Sequence, residues 1–317
     1  MADTGYIHTF APAEQDRLVA QAEFLEPYIF PTMDFSACRD VLEVGCGVGA
    51  EMEILLRRFP SLRVTGVDFS AAQLTRARGY LHARLAAGRA RLQQGSAYEL
   101  PFADRAFDGV CLIWVLEHLA EPQRALTEAA RVLRPGGVLS GTEVCNASWQ
   151  VEPRCPAMTE YWAAFNALQR ELGGDPDVGG KLPALLTAAG LVDVLAWPVP
   201  VRLDGRMRDP AARRKFLGYW ETLWLTGAGQ LLARGWVTAD LVAAVRREFA
   251  GLAANPVAVY HYAAWQVRGF SRRLQLPGHG LEFRIPFAAP SGTLPAHAQP
   301  DDDRNAANGL CDGAHGV

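Results

Sequence analysis

The sequence predicts an α/β fold, a doubly wound and mostly parallel sheet with helices on both faces. Three observations predict it. Strand-like apolar runs alternate with helix-periodic segments through residues 41 to 145. The first run, Val41, Leu42 and Val44, stops at glycines on a two-residue spacing, Gly45, Gly47 and Gly49, and Met52, Leu55, Leu56 and Phe59 then recur at helical spacing. A second run, Arg63 to Val67, ends on Asp68, about 20 residues downstream, where nucleotide-binding sheets of this class carry a ribose-binding acid.

In chain order, Ala11-Pro12-Ala13-Glu14-Gln15 reads as a helix start with proline in the first turn, and Leu18, Ala22, Leu25 and Ile29 supply an apolar face. Strands are expected near 41–45, 63–67, 90–94, 107–113 and 137–144. Helices are expected near 50–58, 70–86 and 121–133, the last closed by Pro135-Gly136-Gly137. Residues 153–172 read as a further helix stopped by Gly173-Gly174-Asp175-Pro176, residues 181–189 as another, and 191–201 as a sixth strand. The pattern then changes. Residues 204–254 hold two or three helical segments with Phe216, Tyr219, Trp220, Leu223 and Trp224 on a crowded face, before a last strand at 257–270. Beyond residue 287, Ala, Pro, Asp, Gly and Asn dominate, the composition of a disordered tail.

Half of the 317 residues are hydrophobic, enough for a large core, and the formal net charge of -3 lacks the basic footprint of a nucleic-acid binder. Cys38, Cys46, Cys111, Cys145, Cys155 and Cys311 include no Cys-x-x-Cys pair, so no metal is expected, and thiols inside a glycine loop and an apolar strand suit a reducing compartment. Neither a signal peptide nor an apolar run of membrane-spanning length is apparent, so the expectation is a cytoplasmic protein without membrane or nucleic-acid partners, as monomer or homodimer.

Further motifs sharpen the reading. Gly95-Ser96-Ala97-Tyr98-Glu99-Leu100-Pro101-Phe102, Phe107-Asp108-Gly109-Val110, Leu116-Glu117-His118-Leu119 and Arg131-Val132-Leu133-Arg134-Pro135-Gly136-Gly137 follow the glycine loop and Asp68 in order. Together they resemble the class I S-adenosylmethionine-dependent methyltransferases of the small-molecule type 11/25 kind. The resemblance is strong over residues 38 to 145 and loose on either side. It implies a Rossmann-like seven-stranded sheet in the order 3-2-1-4-5-7-6 with the last strand antiparallel. It also implies a division into an N-terminal lid (1–37), a core (38–203), a helical cap inserted between strands six and seven (204–254), the last strand and end of the core (255–286), and the tail (287–317).

The implied cofactor is S-adenosyl-L-methionine, which carries a zwitterion, a sulfonium, a ribose and an adenine but no phosphate. Gly45, Cys46, Gly47 and Gly49 would let backbone approach its methionyl and ribose parts. Glu43 would repel a pyrophosphate yet attract the cationic side, which argues against a nicotinamide dinucleotide. Asp68 would accept from both ribose hydroxyls, although it also fits a helix N-cap before Ala71, and Phe69 and Ser70 would flank ribose and adenine. Ser96 and Ala97 stand where the family carries an acid and a small residue beside adenine, and Ser96 departs from that acid. Trp114 and Val115 would lie under the cofactor, with Gln21 reaching in from the lid.

Methyl transfer is an in-line displacement at an activated carbon, so alignment supplies most of the acceleration and the family has no invariant base. Candidates are His118 after the fourth strand, Glu143 at the end of the fifth, and Tyr6 and His8 on the lid, where Arg17 would also face the pocket. Glu117-His118 also suits a structural helix start. Tyr161, Trp162, Tyr219, Trp220 and His261 are candidates from later segments, the 219–224 aromatics serving as packing or as a cage. The expected acceptor is a small-molecule N or S, ahead of O or C. An NAD-dependent oxidoreductase and a catalytically silent S-adenosylmethionine-binding protein are the alternatives.

Overall fold

Parallel strands carry the first half of the chain, in a computed structural model that describes residues 11–273. β1 (Asp40–Val44), β2 (Arg63–Asp68), β3 (Ala90–Gln94), β4 (Phe107–Ile113) and β5 (Leu133–Glu143) lie in the order 3-2-1-4-5. Val41 of β1 pairs with Val64 on one side and Gly109 on the other, so β1 is central and its carboxyl end points at the glycine loop. The helices between them are α2 (Ala50–Arg58), α3 (Ala71–Tyr80), α4 (His82–Ala86) and α5 (Pro122–Val132), preceded by α1 (Pro12–Ile29). Tyr6, His8, Cys311 and the expected tail fall outside the described residues.

After β5 come a short strand β6 (Gln150–Glu152), α6 (Pro156–Glu171), α7 (Leu182–Ala188) and β7 (Val192–Leu203). Then follow α8 (Pro210–Leu225), α9 (Ala228–Ala233), α10 (Ala239–Ala254) and β8 (Val259–Phe270). β8 runs antiparallel to β5, from Val138 opposite Phe270 to Glu143 opposite Trp265, and its other edge takes β7 over nearly its whole length. The order is therefore 3-2-1-4-5-8-7, the expected topology with the late strand antiparallel. β6, which the sequence pattern does not reveal, adds three residues to β8 beside His261, so that histidine sits in a strand ladder between β6 and β7.

Alternation in β1 sets the two cores. Val41 packs with Phe35, Met52 and Leu55 on one face, and Leu42 and Val44 with Ala125, Leu126 and Ala129 on the other. The longer helices between β7 and β8 begin on their own side chains. Asp209 accepts the N–H groups of Ala211 and Ala212 at the start of α8, and Thr238 accepts that of Leu241 at the start of α10. Gln266 of β8 donates to the Ile29 carbonyl and to Thr142 Oγ1, tying the end of α1 to the sheet.

Two local expectations need correction. The helix expected over 70–86 is broken at Leu81, whose buried side chain packs where a Cβ on Gly49 would stand, 2.6 Å away. Pro135-Gly136-Gly137 does not close a helix. α5 already ends at Val132, and the glycines form an irregularity inside β5, where the ladder with β4 shifts between Phe107 and Gly109 and Gly136 takes φ +79°.

Candidate active site

The turn after β1 is built by left-handed glycines and held by β2. The N–H groups of Gly45 and Cys46 both donate to the Val67 carbonyl, at 2.8 and 3.0 Å. Gly45 has φ +73°, and a Cβ there would lie 2.6 Å from Val115 Cγ2, so only glycine lets the loop pass under that side chain. Gly47, at φ +49°, differs: nothing lies within 4 Å of where its Cβ would be. The space beside this part of the loop is open. Gly49 serves as the left-handed N-cap of α2. Cys46 contributes only backbone, because its Sγ is turned into the core against Gly66 and Met52.

Acids flank the loop. Asp68 Oδ2 accepts the Gly47 N–H at 2.9 Å and Oδ1 accepts the Ser70 N–H at 2.8 Å. Ser70 itself is the N-cap of α3, accepting the Gln73 N–H, so the N-cap alternative for Asp68 does not hold and the acid braces the loop. Burial raises the Asp68 pKa, and the two amide bonds pull against that rise. Glu43 is 2% exposed and its Oε2 has no hydrogen-bond partner among the described residues. Burial, then the charges of Glu51 and Asp68, push its carboxyl well above the usual range. Glu51, in the first turn of α2, is not marked out by the sequence as part of the site, since an acid at a helix start is ordinary there. Removal from water pushes it up to about 7, against its own backbone N–H and Arg17.

On the adenine side the contacts are plainer. Ser96 Oγ accepts the Tyr98 N–H at 3.1 Å in a small turn, Ala97 packs beside the second core, and Gln94 Nε2 donates to the Phe69 carbonyl at 2.9 Å. The Phe69 ring is 57% exposed, next to Asp68. Trp114, just past β4, adopts φ +57°, a conformation rare for so large a residue, and its N–H donates to Thr142 O at 3.0 Å.

Glu143 fixes the segment that follows. Its Oε1 accepts the N–H groups of Val115 and Leu116 at 2.9 and 2.8 Å, and Oε2 that of Glu117 at 3.3 Å. Burial and the neighbouring Glu117 raise it to about 8 despite these bonds. Glu143 is fully buried, does not line the cavity and takes three backbone amides, so it positions the 115–117 turn rather than facing a reactant.

Above this floor lies a cavity whose walls come from α1 (Arg17, Leu18, Gln21, Leu25), α6 (Trp162, Phe165) and α8 (Tyr219, Trp220, Leu223), with Trp114, Glu117 and His118 below. Its polar groups are largely engaged with one another. Arg17 donates twice to Glu14, at 2.8 and 2.6 Å, and once to Gln21 Oε1 at 2.7 Å. Asn146 donates to Asn166 at 2.7 Å and accepts from the Tyr262 hydroxyl. Gln169 of α6, fully buried, donates to Glu117 Oε2 at 2.7 Å, and Glu117 Oε1 lies 3.6 Å from His118 Nε2. Burial lowers the His118 pKa, with Glu117 opposing and Arg17 adding to that change, so the imidazole is neutral near pH 7.

Packing and lining are divided among the aromatics of the insertion. Trp224 is fully buried and stacked on Trp162 at 4.2 Å, and the Tyr161 hydroxyl donates to the Trp224 carbonyl. Tyr219 stacks on Phe24 of α1 at 3.9 Å and, with Trp220, faces the cavity. Gln15 of α1 donates to Gln73 and Ala72 of α3, which ties α1 to the start of α3. Among the described residues, no three His, Cys, Asp or Glu side chains gather as a metal ion needs.

Residues 42–140, from β1 through most of β5, match the family model described as a methyltransferase domain. Those residues are a methyltransferase domain, similar to those of the class I S-adenosylmethionine-dependent enzymes. Similar curated proteins include an O-methyltransferase of Aspergillus sclerotiorum, 30% identical over 52% of this chain and 61% of its own. A demethylmenaquinone methyltransferase of Desulfitobacterium hafniense is 30% identical over 42% of this chain and 51% of its own. The chain spans about half to three fifths of the length of the curated relatives it matches. Among solved structures, a phosphoethanolamine N-methyltransferase of Haemonchus contortus in complex with S-adenosyl-L-methionine superposes with TM-score 0.48 at 17% identity, covering 80% of this chain and 53% of that one.

The cofactor of a methyltransferase domain is S-adenosylmethionine, and the residues present fit it. The buried, unpartnered Glu43 oxygen and the empty space over Gly47 provide a negative, open cradle, and neither Lys nor Arg stands in the glycine loop to receive a phosphate.

Proposed function

We propose that the protein transfers a methyl group to a hydroxyl oxygen, phenolic or enolic, of a neutral and largely apolar small molecule, with His118 as the general base. The observation that carries this reading is the Gln169–Glu117–His118 arrangement at the floor of an otherwise aromatic and aliphatic cavity. Asp68 would hold the ribose, Glu43 the cationic side, and the Gly45–Gly49 backbone the methionyl part of the cofactor, which supplies a methyl group activated by a positive sulfur. A buried hydroxyl must lose its proton as the new bond forms, whereas a neutral amine or thiol needs less help. His118, neutral near pH 7, takes that proton, and Glu117, held by Gln169, stabilises the resulting imidazolium. The sequence alone favours N or S. The neutral histidine beside a carboxylate is the reason for placing O first, and the O-methyltransferase among the relatives agrees with it. Arg17 is already bidentate to Glu14, which argues against a phosphate- or carboxylate-bearing substrate.

An amine acceptor is the second reading, favoured by the Glu117 carboxylate in a cavity also lined by Trp162, Tyr219 and Trp220, which would suit an ammonium group. Incubation with labelled cofactor and a mixed pool of phenols and amines, followed by mass identification of the product, separates the two. His118→Ala should cut kcat for a phenol by about 10²–10⁴-fold. If only amines are methylated, and His118→Ala leaves kcat unchanged, the oxygen reading is wrong.

A further inference from the structure

We infer, resting on the oxygen-acceptor reading and deepening it, that the substrate carries a carbonyl oxygen conjugated with the hydroxyl to be methylated, and that Tyr219 and Gln21 receive that carbonyl. Several polar groups lining the cavity are already spent. Asn146 is engaged with Asn166 and Tyr262, and the Tyr262 hydroxyl also accepts the Cys145 N–H at 3.2 Å. The Trp162 indole donates to the Asn146 carbonyl at 3.2 Å. Arg17 is engaged with Glu14 and Gln21.

The groups left over on the upper wall are donors. Gln21, 7% exposed and expected from the sequence beside the cofactor, lines this cavity. Its Oε1 is occupied by Arg17, and its amide nitrogen has no hydrogen-bond partner among the described residues. The Tyr219 hydroxyl likewise has none among the described residues, while its ring is fixed on Phe24 at 3.9 Å and edge-on against Trp220 at 5.3 Å. Removal from water pushes the Tyr219 phenol up, so it keeps its proton and can donate. The indole N–H groups of Trp114 and Trp220, whose side chains line the same cavity, are sealed in its wall and also lack acceptors. A guest bearing an acceptor oxygen satisfies such a wall, whereas a guest bearing further donors leaves it unpaired.

Donors and base stand at the same end of the cavity. Along α1 the lining changes from Arg17 and Gln21 to Leu25 and Ile29, one helical turn after another. Arg17 is hydrogen-bonded to Gln21, and both Tyr219 and His118 feel the charges of Arg17 and Glu117. The hydroxyl that meets His118 and the oxygen that meets Tyr219 and Gln21 therefore belong to one head group, with an apolar body beside Leu25 and Ile29. The chemistry of the base agrees. Burial lowers His118 below the ordinary histidine value, and so weak a base takes a proton readily only from an acidic hydroxyl. Conjugation with a carbonyl acidifies a phenol or enol, and hydrogen bonds donated to that carbonyl acidify it further.

The test is titration calorimetry of the full chain saturated with S-adenosylhomocysteine. The probes are an ortho-acetylnaphthol and the matching ortho-ethylnaphthol, which lacks only the carbonyl oxygen. The acetyl compound should bind at least about tenfold more tightly. Tyr219→Phe keeps the ring without its hydroxyl, and Gln21→Glu keeps an acceptor for Arg17 without the N–H donors. Each should narrow the ratio between the probes at least about threefold. With S-adenosylmethionine in place of the spent cofactor, kcat/KM should follow the same order. Equal affinity for the two probes in the unaltered protein would overturn the inference. It is overturned as well by a ratio that persists in both variants, each folded by circular dichroism. Neither result touches the oxygen-acceptor reading if both naphthols are methylated and His118→Ala slows them. Binding of neither probe also removes the inference, and the oxygen-acceptor reading then falls only if the mixed pool of phenols yields no methylated product either.

Discussion

Gly45 and Gly47 share a left-handed backbone but not a neighbourhood, and replacing each separates the loop's folding role from its ligand role. An L side chain in that conformation costs about 1–2 kcal/mol at either position. At Gly45 the new methyl would also stand 2.6 and 2.9 Å from the two Val115 methyls, and overpacking of that kind adds about 1–3 kcal/mol. At Gly47 no atom lies within 4 Å, so nothing is added. Gly45→Ala should therefore be about 1–3 kcal/mol less stable than Gly47→Ala, a midpoint gap of at least about 2–4 °C by the scaling for large domains. Thermal unfolding without ligand measures it. Gly47→Leu then projects a bulky chain into the same open space. Its stability should stay near that of Gly47→Ala, while calorimetry should show S-adenosylmethionine binding weakened by at least about 100-fold. Equal stability of the two alanine variants would refute the packing argument. Near-normal affinity in Gly47→Leu would show that the cofactor does not use this space.

Other variants test the remaining parts of the site. Asp68→Ala leaves the Gly47 and Ser70 amides without their acceptor, so it should abolish measurable cofactor binding and lower stability by about 1–3 kcal/mol; calorimetry and denaturant titration check both. Glu143 holds its proton more tightly folded (about 8) than unfolded, so its contribution to stability falls as pH rises from about 4.5 to 8. Glu143→Gln should flatten that slope, and midpoints measured across the range would show whether it does. With a phenolic acceptor, the rate should fall on the acid side as His118 is protonated, at a pH below the ordinary histidine value of about 6.5. Glu117→Gln should move that limb further down, and an unmoved limb would remove Glu117 from the proposed proton transfer.

Much of this was legible in the residues. The alternation of runs locates β1 to β5, and the crossing of helical periods with a late apolar stretch locates α8 to α10 and the antiparallel β8. Gly45, Gly47, Glu43 and Asp68 stand out because strand ends, left-handed turns and acids leave local signatures. What stayed hidden depends on distant partners. Leu81 breaks its helix to fill space beside Gly49, and Pro135-Gly136-Gly137 looks like a helix stop although a shift against β4 makes it a bulge. Glu143 resembles a catalytic acid until its three amide donors are seen, and Glu51 is an unremarked helix-start acid until it meets Glu43. Gln169, more than fifty positions from Glu117, gives no local hint of that contact.

The Glu143 carboxylate gathers the 115–117 turn, and through it a single buried side chain sets both Val115 over Gly45 and the stretch that carries His118. Floor and walls are joined through the Gln169–Glu117 hydrogen bond. On the proposed reaction, the straight line from acceptor through methyl to sulfur would be set by strand ends. The side chains that would choose a guest line the cavity from α1, α6 and α8, where exchange disturbs no backbone ladder. Re-tailoring the guest by swapping Tyr219 or Leu223 is accordingly a change of furniture in a room whose foundations stay put.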